Sequence, residues 1–123
     1  ILLPDDQEKL SEEMRTIADD NLADLILTTG GTGFSARDCM PEATLAITER
    51  IVPGITEAIR AYSMTFTKRA MLSRATAGIR KRTLIVNLPG SPKAVRESLA
   101  FIIKELGHGL EILSGEASNC ARK

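Results

Sequence analysis

The chain has 123 residues, equal numbers of acidic and basic side chains, 43% hydrophobic residues and only 3% aromatic ones. That length suits one domain whose core is filled by aliphatic side chains. It contains no apolar run of about 18 residues that would make a membrane span, and its opening ILLPDDQEKL lacks the basic flank and long apolar stretch of a secretion signal. Two cysteines, Cys39 and Cys120, do not make a disulfide framework, and a reducing cytoplasm is the compartment expected.

Charge is segregated. Residues 1–57 hold twelve Asp or Glu and four Lys or Arg; residues 58–96 hold no acid and nine bases: Arg60, Lys68, Arg69, Arg74, Arg80, Lys81, Arg82, Lys93 and Arg96. Two readings stay open: a solvated basic face, or a field that collects a polyanionic ligand. A neutral total without aromatic interleaving argues against a nucleic-acid groove.

PDDQEKLSEEMRTIADD predicts a helix over about 6–20, with Leu10, Met14 and Ile17 on one face and Asp5 or Asp6 capping its start. DLILTT (24–29) reads as a strand buried on both faces, ending in a glycine loop. PEATLAITER predicts a helix entered at Pro41; Pro53 and Gly54 break it, and a second helix carries Ile55, Ala58, Ile59, Tyr62 and Phe66. A hairpin is expected next, with strands near 72–79 and at 83–88. A helix entered at Pro92 is expected to be interrupted at Gly107 and Gly109, with LEILSG as a short last helix. Together these predict one domain over 1–115 and a tail over 116–123. The fold class is α/β: a three-layer α/β/α sandwich with a mainly parallel sheet and a small hairpin. The strand count is low for such a sheet, ILL reads as the end of a strand, and an N-terminal strand and helix are expected to be lacking.

Open α/β sheets bind ligands beyond the carboxyl ends of their strands. Three stretches gather there: PDD (4–6), TTGGTGFSARD (28–38) and NLPGSPK (87–93). Gly30, Gly31 and Gly33 let backbone amides approach a ligand, and Thr28, Thr29, Thr32 and Ser35 add hydroxyls. The loop fits neither the P-loop nor the strict dinucleotide pattern. Asp38 closes it and Asp5 closes another loop on the same sheet edge; two carboxylates beside phosphates suit Mg²⁺. Helix capping is the competing role for each. His108 reads as a polar helix end and Cys39 as a packing thiol.

The ordered set LILTTGGTGFSARD, PEAT, VPG, AMLSR, AGIR and TLIVNLPGSPKAVRE resembles the molybdopterin adenylyltransferase family, which includes gephyrin-like G domains, over about residues 4–113. The resemblance implies a molybdopterin-binding domain that usually forms a trimer. It implies transfer of AMP from Mg-ATP to the terminal phosphate of molybdopterin, with release of pyrophosphate, and a partner protein or domain that then inserts the metal. Some relatives act instead as non-catalytic binders or scaffolds. By motif, Asp38 and Asp5 become the catalytic, metal-binding carboxylates. Gly30, Gly31 and Gly33, with Thr29 and Thr32, hold the adenylate; Ser73 and Asn87 contribute to the nucleotide and pterin site; Pro89, Gly90 and Ser91 shape its wall. The attacking phosphate is already anionic, so alignment and charge neutralisation suffice, and Arg74 is the expected direct phosphate contact. The chain departs from the family at Met40, where a capping threonine is usual, at Lys68 in place of proline, and at Lys81-Arg82 in place of a turn glycine.

Overall fold

The computed structural model describes residues 1–115. The tail expected at 116–123, with Cys120, lies outside the described residues.

Helix α1 (Gln7–Asp19) forms because Leu10, Met14 and Ala18 repeat at four-residue spacing and are buried together. Asp6 caps it, accepting from the Lys9 amide at 3.1 Å, which leaves the Asp5 carboxylate out of the cap. Strand β1 (Leu25–Thr29) follows, then α2 (Met40–Ile47), a two-residue strand β2 (Arg50–Ile51) and α3 (Pro53–Ser63). A 3₁₀ turn (Lys68–Leu72) leads to the hairpin β3 (Ala77–Arg80) and β4 (Thr83–Leu88), and the described chain closes with α4 (Pro92–Ser114).

The sheet order is β1-β4-β3-β2. Strand β4 is buried at all six positions, and its alternation defines the layers. Leu84, Val86 and Leu88 meet Ile59 of α3 and Ile102 and Leu106 of α4, while Ile85 points the other way, onto Leu10, Met14, Ala43 and Ile47 of α1 and α2. The three-layer α/β/α expectation holds. The sheet is mixed and not mainly parallel as expected: among the described strands β1 pairs parallel with β4, whereas the tight β3–β4 turn and the return of β2 onto β3 make β4–β3 and β3–β2 antiparallel.

Four elements differ from their sequence expectation. The first hairpin strand is shorter, because 68–72 coils into a 3₁₀ turn. Strand β2 carries too few residues to leave a periodic pattern. It pairs Ile51 with Gly78, where a Cβ would sit 2.7 Å from the Thr48 side chain, so glycine permits the approach. Helix α4 runs unbroken through Gly107 and Gly109: Ile102, Leu106, Leu110 and Leu113 pack on the sheet and offset the roughly 1 kcal/mol that each helical glycine costs. It ends at Gly115 in the left-handed region, φ +87°. Residues 1–3 form no strand, and Leu3 packs beside α1 and α2.

The hairpin turn without glycine is held from outside. Lys81 takes φ +52°, a conformation uncommon for a side-chain-bearing residue. Its amide donates to Glu49 Oε1 at 2.6 Å. Beside it Arg80 forms a bidentate pair with Asp19 at the end of α1 (2.8 and 3.0 Å) and donates to the Ile47 carbonyl at the end of α2. Asp19 sits below the usual carboxylate range, chiefly because the Arg80 guanidinium hydrogen-bonds it.

Candidate functional site

The parallel pair β1/β4 ends in two loops on one sheet edge, the place where α/β sheets bind ligands. The Gly30 amide extends the ladder by donating to the Leu88 carbonyl at 3.3 Å. Gly30 and Gly31 then both take positive φ, +84° and +71°, and swing the chain away from the sheet. The Met40 amide, donating to Gly31 O at 3.1 Å, closes the loop at its far end. A Cβ on Gly90 would lie 3.4 Å from Gly30 Cα, so the loop after β4 rests directly on the glycine loop.

Asp38 lies on this loop, and Asp5, from the segment before α1, lies beside it. Asp38 folds back over it, Oδ2 accepting from the Ser35 amide at 3.0 Å; a Cβ on Gly33 would stand 2.8 Å from that oxygen, so glycine at 33 makes room for the carboxylate. Asp5 Oδ1 lies 3.9 Å from the position a Gly31 Cβ would take. Neither aspartate forms an ion pair among the described residues. Neither caps a helix: Asp6 caps α1, and the N-cap of α2 is Cys39, which supplies no side-chain bond. The cap position is therefore Cys39, with Met40 already the first helical residue, so the missing cap, a loss of about 1 kcal/mol, belongs to Cys39 and not to the methionine expected to cause it. The Cys39 thiol is pushed up by burial and then by the fields of Asp5, Glu42, Asp6 and Asp38. It is a neutral packing thiol beside a negative loop.

Arg74 departs from expectation. It was expected on phosphate, but its guanidinium is spent on the loop. Nε donates to Gly33 O and Nη2 to Asp38 O, both at 2.8 Å, and Nη1 pairs with Glu42. Its amide donates to Thr32 O at 2.8 Å. The hydrogen bond that Arg74 donates to Glu42 holds the Glu42 carboxyl low and raises Arg74.

Asn87 is fully buried and also committed. Its Oδ1 accepts from the Thr76 amide at 3.1 Å, and its Nδ2 donates to Thr28 and Thr44 hydroxyls, each at 2.9 Å. It knits β1, α2 and the segment before β3. The Ser91 hydroxyl caps α4 through the Ala94 amide at 3.2 Å, and the Ser73 hydroxyl accepts from the Ala75 amide at 3.2 Å.

Between this edge and α3 opens a cleft of about 330 Å³. Of the predicted site residues, Thr32, Gly33, Ser73, Asn87, Pro89 and Gly90 line it. Asp5, Asp38, Gly30 and Gly31 belong to the adjoining loop surface, and Thr29 lies against a different groove beside α1. Sequence reasoning missed Arg60, whose Nη1 donates to Ser73 O (3.3 Å) and Ala75 O (2.9 Å) and so props the wall. Its one signal is Thr56, four residues earlier on the same helix face, which accepts from Arg60 Nη2. The basic segment is largely consumed in such struts: Arg60, Arg74, Arg80, Lys81, Arg82 and Lys93 all have partners.

The fold and this edge define an α/β domain with a glycine loop, flanked by two unpaired carboxylates, opening on a cleft that no acid lines. The family profile described as a probable molybdopterin binding domain matches residues 1–108, and the chain belongs to that family. It is 43% identical over 109 residues to a molybdopterin adenylyltransferase of Haemophilus influenzae, covering 89% of this chain and 55% of that protein. It is 45% identical over 98 residues to the Escherichia coli K12 protein of the same name, covering 80% and 50%. The chain thus spans about half the length of these curated relatives. Among solved structures, the molybdopterin biosynthesis enzyme MoaB of Thermus thermophilus superposes with a TM-score of 0.84 at 47% identity, covering 91% of this chain and 70% of that one.

Proposed function

We propose that this chain carries the adenylyl-transfer site of molybdenum-cofactor biosynthesis: Mg-ATP-dependent adenylylation of molybdopterin with release of pyrophosphate. The observation that carries the reading is the placement of Asp5 and Asp38 beside Gly31 and Gly33, free of ion pairs, at the carboxyl end of the parallel strands. Among the described residues no group of three or more His, Cys, Asp or Glu is arranged to hold a metal. A pair of carboxylates without a protein cage fits Mg²⁺ that arrives with nucleotide phosphates, rather than a resident ion. When bound, that ion supplies charge neutralisation at the phosphates. The chain's own residues do the rest. The loop amides and hydroxyls orient the nucleotide, Arg74 keeps the loop in shape, and the cleft walls position the pterin so that its phosphate is the nucleophile. No protein nucleophile or base is required.

Assembly as a homotrimer, hand-over to a molybdenum-inserting protein or domain, and a cytoplasmic location belong to the same proposal. No described helix is long and apolar enough to cross a membrane. The rival reading, a molybdopterin-binding or scaffold module without turnover, draws support from the family description, which names molybdopterin binding alone. Incubation with molybdopterin and Mg-ATP, followed by mass spectrometry, separates the two. Adenylylated product supports transfer; pterin bound without product supports the scaffold.

A further inference from the structure

The cleft beside the glycine loop is lined by hydroxyls of Thr32, Thr56 and Ser63, by apolar Ile59, Leu72 and Pro89, and by two arginines, with no acid among its lining residues. The two arginines differ in what they are doing. Arg60 is engaged by the Ser73 and Ala75 carbonyls. Arg69 is not: its backbone amide is pinned to Thr67 Oγ1 at 3.3 Å, but its guanidinium has no hydrogen-bonded or ion-paired partner among the described residues. Arg74, beside the loop, is spent on Gly33, Asp38 and Glu42, and Arg37, on the loop itself, does not line the cleft. Arg69 is therefore the uncommitted cation of the cleft wall.

An arginine on an acid-free wall, above an apolar floor, suits a planar heterocycle that carries a phosphate. We propose that Arg69 is the residue that grips the phosphate of the pterin substrate and sets the preference for a phosphorylated pterin, an inference that rests on the adenylylation reading above. The charge logic separates the two substrates. Nucleotide phosphates have Asp5 and Asp38 with a divalent cation to balance them. The acceptor phosphate brings no cation of its own, and the cleft wall offers Arg69. Held there by a flexible, exposed side chain, the phosphate is neutralised without being fixed so tightly that it cannot attack.

The test compares equilibrium binding of molybdopterin and of Mg-ATP, by calorimetry, for the wild type, Arg69→Gln, Arg69→Lys and Lys68→Gln. The last removes a neighbouring charge that does not line the cleft. Arg69→Gln is expected to weaken molybdopterin about tenfold, the effect of losing one charge-assisted contact, with Mg-ATP unchanged. Arg69→Lys recovers part of the affinity, and Lys68→Gln leaves it unaltered. Unchanged molybdopterin binding by Arg69→Gln overturns the proposal. So does a loss confined to Mg-ATP, or an equal loss in Lys68→Gln, which would indicate a diffuse field. A wild type that binds molybdopterin through Arg69 but makes no adenylylated product contradicts only the adenylylation reading. A wild type that fails to bind molybdopterin overturns both.

Discussion

Arg74 Nη2 donates to the backbone carbonyl of Asp38 at 2.8 Å, so the motif arginine grips the loop that carries the aspartate rather than anything the loop binds. Because Nε also holds Gly33 O, one guanidinium spans both ends of the turn over which the Asp38 carboxylate lies. Lysine has one compact ammonium and cannot reproduce this fork. Arg74→Lys should lower kcat/KM for adenylylation by about tenfold or more through misplacement of Asp38, and steady-state kinetics with Mg-ATP and molybdopterin checks it. Near-wild-type kinetics would mean the loop keeps its shape without the clamp.

Gly33 offers a cleaner separation of geometry from stability. Its φ lies outside the left-handed region, so alanine is tolerated by the backbone, yet the added methyl would stand 2.8 Å from Asp38 Oδ2. Gly33→Ala should displace the carboxylate and reduce turnover by about a hundredfold, while the denaturant midpoint stays close to that of the wild type. A pronounced fall in the midpoint with intact turnover would reverse the assignment.

Asn87 makes the opposite prediction. Truncation to alanine strands the Thr76 amide and leaves the Thr28 and Thr44 hydroxyls without their donor inside the core. Asn87→Ala should lose about 3 kcal/mol of stability, measured by urea unfolding. A loss of ligand affinity with unchanged stability would instead restore the direct binding role expected from the sequence.

Acid stability should depend on the Asp19–Arg80 pair. The carboxyl of Asp19 is held below its ordinary value of 3.8 in the folded chain. A depressed folded value means the pair stabilises the fold above that ordinary value, and the contribution is lost as pH falls below it toward the folded one. The urea midpoint of the wild type should therefore drop more between pH 6 and pH 3 than that of Asp19→Asn. Equal drops would show that the tether carries no linkage.

Periodicity and punctuation were enough to read α1, α3, β4 and the start of α4, because each combines an apolar repeat with a cap or proline, and to place β1 before its glycines, although β1 is half-buried to exposed and not buried on both faces as expected. They missed β2, whose two residues are defined only by pairing with Ile79 and Gly78 across the sheet. They also broke α4 at Gly107 and Gly109, where core packing overrides propensity. The site was legible at the level of loops: the glycines, Asp5 and Asp38 do share one sheet edge. Partner choice was not legible. Whether an arginine faces a ligand or a carbonyl depends on contacts such as Arg74 with Gly33, 41 residues apart in the chain. The same holds for Asn87, which looks like a polar loop residue in NLPG and is a buried junction in the fold.

The most direct test of the account is the amount of adenylylated molybdopterin formed by wild type and by Asp38→Asn under single-turnover conditions, quantified by mass spectrometry alongside molybdopterin affinity. The account predicts product from the wild type and a fall of at least about a hundredfold in Asp38→Asn, with pterin affinity retained, since the substitution removes a charge opposite the nucleotide phosphates and leaves the cleft intact. Undiminished product from Asp38→Asn would contradict it.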